Sequence, residues 1–178
     1  MAILKIARMG HPVLRRVAVP VTDPTTPELR RLVSDMWDTL NDADGAGLAA
    51  PQVYASVRLV IFRLPPERCQ NEPEAAVDAT VLFNPEIKPL GDDAREGMEG
   101  CLSLPTLRGI VPRHLKIRYR GIDAEGEPIE RVATGFHARV VQHEVDHLDG
   151  ILYPERMSSL RMLSFEDQWR HFLAGMES

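Results

Sequence analysis

With 178 residues, 44% of them hydrophobic, the chain can bury a substantial core as one domain, and two cysteines are too few for a disulfide scaffold. A formal net charge of −5, from 21 basic and 26 acidic residues, argues against broad nucleic-acid affinity, and specific DNA binding is not expected. No segment approaches the roughly 20 apolar residues that cross a bilayer, so no membrane partner is expected.

The start, Met1 to Ile6, has too short an apolar run for a signal peptide and lacks the composition of a transit peptide, which points to a cytoplasmic protein. Thr26-Pro27-Glu28 reads as a helix start with proline just inside it, and Leu29, Leu32, Val33, Met36 and Leu40 give the following turns one apolar face. Gly45-Ala46-Gly47 suits close approach of main chain; lacking a Gly-Lys-Ser or Gly-Lys-Thr ending, it is not a phosphate loop. Residues 57–62 and 80–83 are strand-like. Between them, 65–78 is rich in Pro, Glu and Asn and is expected to be an extended surface loop carrying Cys69. Leu115 to Arg120 alternates as a half-solvated strand should, and Gly126-Glu127-Pro128 turns into a strand over 129–134. A helix is predicted over 135–148, stopped at Asp149-Gly150. A last helix over 158–176 carries Phe165, Trp169 and Phe172 at helical spacing. Helix, several strands, then helix fits a single α+β domain over 1–178 better than βαβ repeats.

The chemistry concentrates in His143-Glu144-Val145-Asp146-His147. On a helix the two imidazoles lie one turn apart on one face and can grip one divalent ion, while Glu144 beside them is a base that need not be a ligand. A catalytic site of this kind takes three protein ligands and keeps an open position. Cys101, after Glu99-Gly100 and before Leu102-Ser103-Leu104-Pro105, is favoured as the third, presented by a constrained turn or strand end; a buried apolar cysteine is the ordinary alternative. Zinc, ferrous iron, nickel and cobalt all suit one thiolate and two imidazoles. Asp146 faces away from both histidines, so a supporting hydrogen bond is expected of it rather than ligation. Glu99 either pairs with Arg108 or Arg113 around the Cys101 loop or faces solvent. His11, His114, His137 and His171 show no spacing that marks a second metal site.

Three segments resemble the three signatures of the peptide deformylase family: Gly45-Ala46-Gly47-Leu48-Ala49-Ala50-Pro51-Gln52, Glu99-Gly100-Cys101-Leu102-Ser103, and Gln142-His143-Glu144-Val145-Asp146-His147-Leu148-Asp149-Gly150. Gly109-Ile110-Val111-Pro112-Arg113 and His11-Pro12-Val13-Leu14-Arg15 are also family-like, so the similarity covers about residues 3 to 154. The resemblance implies a compact α+β fold with antiparallel or mixed sheets packed around a central metal-binding helix. It also implies removal of the formyl group from formyl-methionine at the N-terminus of nascent bacterial or organellar chains. Cys101, His143 and His147 would then hold one divalent ion, Fe2+ physiologically, with Zn2+, Ni2+ or Co2+ able to replace it. Glu144 matches the family's general base and acid; the Gln52 amide and the Leu102 backbone N–H match its donors to the oxyanion.

Substrate contacts follow from the same resemblance. Gly45, Ala46, Gly47, Glu99 and Gly100 would flank the bound peptide, and Ala46 is small where relatives commonly carry a branched residue. Phe136 and Val140 would wall the methionine pocket. Arg139 should share the His143 face, where relatives often place an apolar residue. Either its stem lines the pocket while the guanidinium reaches solvent or a peptide carbonyl, or helix geometry turns it outward. In some bacterial relatives a C-terminal helix contacts the ribosome, so Arg156, Arg161 and Arg170 are candidates for a transient contact. Two rival functions share some of these features: a metallopeptidase that cleaves internal peptide bonds, and a noncatalytic protein with a structural Cys/His metal site.

Overall fold

Leu59–Leu64 is apolar at almost every position because this strand is covered on both faces. In the computed structural model, which describes residues 2–69, 72, 75–169 and 171, its alternate side chains divide between two cores. Val60, Phe62 and Leu64 enter one, and Leu59 and Ile61 the other. A strand buried on both sides has no reason to alternate apolar with polar residues.

The elements in chain order are α1 (Pro27–Asp42), β1 (Gly47–Ala49), β2 (Leu59–Leu64), β3 (Val77–Pro89), β4 (Ala94–Cys101), β5 (Leu104–His114), β6 (Lys116–Ile122), β7 (Pro128–Thr134), α2 (Gly135–Leu148) and β8 (Leu163–Phe165). Strands β1-β2-β3-β6-β7 form one sheet and β4-β5-β8 another, with every neighbouring pair antiparallel. The fold is α+β.

Thr26 caps α1, its hydroxyl accepting the Leu29 N–H at 3.4 Å, and Pro27 occupies a first-turn position where no N–H is needed. The helix buries Met36 and Leu40 completely, in one core with Leu48, Leu59, Ile61 and Phe83. On the opposite face of β2 lies α2, buried at every residue from His137 to Leu148. Ala138, Val141, Val145 and Leu148 share that core with Phe62, Leu82, Ile117 and Tyr119. Burying each Val or Leu contributes about 1.5–3 kcal/mol, enough to hold an otherwise polar helix in the interior. The helix stops at Gly150, whose φ of +73° suits glycine and where a Cβ would stand 2.8 Å from the main chain of Arg15.

Three expectations need correction. Cys69 is 2% exposed and joins the core around Phe62 and Leu64, because a 3-10 turn at Pro66–Arg68 folds the chain back over the sheet. Residues 77 and 78 of the expected loop belong to β3. The helix expected over 158–176 does not run through its first part. Instead, 3-10 turns at Leu160–Met162 and Glu166–Gln168 flank β8, which pairs with Leu107–Gly109 of β5. The backbone groups along the edge of β5 outcompete the local aromatic spacing; residues 170 and 172–178, Phe172 among them, lie outside the described residues. No described helix is long and apolar enough to cross a membrane.

Candidate metal centre and active site

The end of β4 meets the middle of α2. Cys101 sits where the register of β4 with β5 shifts, next to Gly100, and α2 presents His143 and His147 one turn apart. Cys101 Sγ and one ring nitrogen of each histidine lie within 4.8 Å of one another, with Sγ 3.3 Å from His147 Nε2. His143 Nδ1 lies 2.8 Å from Glu99 Oε2, so the other ring nitrogen is left to face the centre. A tetrahedral ion at ordinary bond lengths separates sulfur and nitrogen donors by roughly 3.6 Å and two nitrogens by roughly 3.3 Å. The donor set fits one divalent ion with a position to spare, which is the pattern of a catalytic rather than a structural site.

The donors also act on one another's charge. Burial opposes ionisation of the Cys101 thiol, but His147 and His143 outweigh it and hold the thiol well below its ordinary range. Burial likewise opposes a charged His143, and Cys101 and Glu99 push it the other way, well above the usual imidazole value. Burial raises Glu99, yet His143 and Arg113 hold it well below the usual carboxylate range. Arg113 grips Glu99 through Nε and Nη2 at 2.9 and 3.0 Å, while its Nη1 donates to Asp146 Oδ2 at 2.5 Å. Arg156 donates to the other oxygen of Asp146 at 2.8 Å. Of the partners considered for Glu99, Arg113 is the one the fold supplies. Arg108 turns instead to Glu166, and the Glu99 carboxylate also supports His143.

Glu144 is 5% exposed, and its Oε2 has no hydrogen-bond partner among the described residues. Burial lifts its pKa to about 7, against the positive charges of His143 and His147. Gln52 is set by a 3-10 turn at Ala50–Val53: its Oε1 accepts the Ala49 N–H at 2.8 Å. That bond aims Nε2 at Ser103 Oγ, 3.2 Å away, and at Cys101 Sγ, 3.5 Å away.

A cavity of about 620 Å³ opens between β1, the β4–β5 turn and α2. Gly45, Ala46, Gly47, Gln52, Glu99, Gly100, Cys101, Leu102, Phe136, Arg139, Val140, His143 and Glu144 all line it. His147 lies beneath the wall at 1% exposure. Arg108, considered above only as a partner of Glu99, lines it as well, and so does Met98, which carries no signal in the sequence. Two residues behind the centre carry none either: Ser103, which holds Gln52, and Tyr153, whose ring stacks on His143 with centroids 6.2 Å apart. No local pattern marks them; they are brought in by the β4–β5 hairpin and by the chain after α2. Arg139 lines the cavity, as one of the two expectations has it, but the end of its side chain goes elsewhere. Its guanidinium runs inward beneath β4, to Glu99 Oε1 at 2.8 Å and to main-chain carbonyls, because those buried acceptors outbid solvent.

Mixed sulfur and nitrogen donors that leave one position open, a buried carboxylate with one oxygen that has no partner among the described residues, and a cavity of about 620 Å³ beside them define a metal-dependent amide hydrolase. The chain matches the family model of polypeptide deformylase over residues 3–162 and belongs to that family. It is 53% identical to peptide deformylase 1 of Bordetella pertussis over 91% of this chain and 92% of that protein. A crystal structure of a class I type b peptide deformylase from Acinetobacter baumannii with Met-Ala-Ser bound is similar with a TM-score of 0.81. It is 39% identical and covers 88% of this chain and 99% of that chain. The peptide deformylase of Thermotoga maritima is similar with a TM-score of 0.79 and 33% identity, over 89% of this chain and 100% of that chain.

Proposed function

We propose that this protein hydrolyses the N-formyl group of formyl-methionine at the N-terminus of nascent polypeptides, releasing formate and a free amino terminus. One observation carries the mechanism: Glu144, a buried carboxylate with an oxygen that has no partner among the described residues, walls the same cavity as Cys101 and His143. Cys101, His143 and His147 would hold the metal, which supplies Lewis acidity for activating water and polarising the formyl carbonyl. Glu144 takes the proton of the attacking water and returns it to the leaving nitrogen, since an amide nitrogen leaves only when protonated. The Gln52 amide and the Leu102 backbone N–H donate to the oxygen as it gains charge.

The peptide lies extended along Gly45, Ala46 and Gly47. Strand β1 ends its sheet, with β2 as its one strand neighbour among the described residues, so it can accept another strand. Gly100, beside Cys101, borders the opposite wall. The first side chain enters between Phe136 and Val140, with the Arg139 stem behind them. The Met-Ala-Ser held by the Acinetobacter protein supports a methionyl peptide as occupant. Ferrous iron is proposed as the native metal, with zinc, nickel or cobalt able to take its place; a thiolate with two imidazoles suits each of them. The bacterial cytoplasm is the proposed setting, in keeping with relatives from Bordetella and Ralstonia. A transient ribosome contact through the C-terminal region would rely on Arg161 and on Arg156, which is exposed although its guanidinium is paired with Asp146; Arg170 lies outside the described residues.

The test compares formyl-Met-Ala-Ser, acetyl-Met-Ala-Ser and a longer peptide with a free amino terminus. Formate from the first and no cleavage of the others is the expected result. Cleavage of internal bonds would favour a metallopeptidase, and inactivity of folded, metal-loaded protein on all three would favour a structural metal site.

A further inference from the structure

The three donors come from two separate elements. Cys101 ends β4, and His143 and His147 stand on α2, so the shape of the centre depends on what fixes the β4–β5 hairpin against the helix. One side chain spans that gap at four points. Arg139 Nη1 donates to Glu99 Oε1 at 2.8 Å, to Val111 O at 2.8 Å and to Gly97 O at 3.3 Å, while Nη2 donates to Arg95 O at 2.7 Å. Two of these carbonyls belong to β4 and one to β5. The fourth acceptor is the carboxylate that holds His143.

Gly97 is what admits the guanidinium. A Cβ at that position would stand 2.7 Å from Arg139 Nη2 and 2.8 Å from Cζ, too close for either to stay. The main chain at 97 shows no positive φ, so its need for glycine is one of space and not of backbone conformation.

We propose that Arg139 is a positioning residue for the metal centre, a bolt that fixes the Cys101-bearing hairpin to the histidine-bearing helix through the space left by Gly97. The inference rests on Cys101, His143 and His147 as the donors and is independent of the substrate. Arginine suits the task because its planar fork meets several acceptors in fixed directions; a lysine ammonium on a flexible stem can meet Glu99 but cannot span both strands in the same way.

The experiment follows zinc loss to an excess of chelator from the folded, zinc-loaded full chain, for the parent, Arg139→Leu, Arg139→Lys, Gly97→Ala and the double variant Arg139→Leu/Gly97→Ala. Thermal unfolding of each is measured alongside. Arg139→Leu and Gly97→Ala should each weaken zinc retention about 10- to 100-fold, the range for residues that orient metal ligands. Lysine should rescue only in part. Because Gly97 acts through Arg139, adding Gly97→Ala to Arg139→Leu should cost little more, whereas independent structural defects would multiply. With cobalt in place of zinc, the thiolate charge-transfer band should shift in the single variants. Zinc retention within twofold of the parent in both single variants, or fully multiplicative losses in the double variant, would overturn the bolt. Should Gly97→Ala fail to fold, the leucine and lysine variants still decide the matter. A parent that binds no zinc would overturn the donor set itself.

Discussion

Gly47 lies against Glu144 so closely that a Cβ at position 47 would stand 2.5 Å from the carboxylate oxygen Oε1 and 2.7 Å from Cδ. Strand β1 therefore leaves room for the proposed base as well as for the peptide. Gly47→Ala should push the carboxylate aside and lower kcat about 100-fold, as misplacement by about an ångström does. Zinc content should be unchanged, since Glu144 is not one of the three donors. Steady-state formate release and metal analysis on one preparation check both halves; full activity would show that the carboxylate position is not critical.

Gln52 is held at both ends of its amide, by the Ala49 N–H and by Ser103. Replacing it with leucine removes the donor proposed for the developing oxyanion, and kcat should fall about 10²- to 10³-fold with KM little changed. A raised KM at constant kcat would instead make Gln52 a ground-state binding group.

What the sequence disclosed follows from where the partners lie. His143 and His147 contact the same centre from one helix, so their spacing alone announces it, and Thr26-Pro27 marks the start of α1 through bonds to its own next turn. The β4–β5 hairpin was hidden because Gly97, Gly100, Gly109, Pro105 and Pro112 interrupt any alternation. Pro112 is tolerated because β8 pairs only with 107–109, leaving that part of β5 without a second strand neighbour among the described residues. The place of Arg139 on the cavity wall is legible from its spacing to His143, but the partners of its guanidinium are not, because they are carbonyls 28 to 44 residues away, which no local pattern can report. Cys69 was misread for the opposite reason: its polar neighbours describe the turn around it and not the core beneath it.

The N-terminus of α2 is capped from a distance. Thr134 makes no side-chain cap; Glu72 Oε2 accepts the Phe136 N–H at 2.6 Å, and Oε1 accepts from Arg95 at 2.9 Å. Glu72→Ala should cost about 1 kcal/mol, the usual worth of a helix cap. Urea unfolding checks this, and an unchanged midpoint would mean that water replaces the carboxylate without loss.

His137 is buried beside Phe62 and the Tyr119 hydroxyl, and burial, aided by the charge of Arg131, pushes its pKa down to about 4. The unfolded chain protonates near 6.5, so between those values the unfolded state binds the extra proton. The contribution of this group is therefore present above about pH 6.5 and lost progressively as pH falls toward 4. Urea midpoints for the parent and His137→Gln, compared at pH 7 and 4.5, should fall more steeply with acid in the parent. Parallel lines would place the acid sensitivity elsewhere.

On the proposed mechanism, Glu144 moves the proton in formyl hydrolysis at a Cys101/His143/His147 metal centre. The most direct measurement is anaerobic formate release from formyl-Met-Ala-Ser by ferrous-reconstituted parent and Glu144→Ala protein with matched metal content. Rapid release by the parent and a loss of at least about 10²-fold in the variant is the predicted result. Equal rates from the two proteins would contradict it.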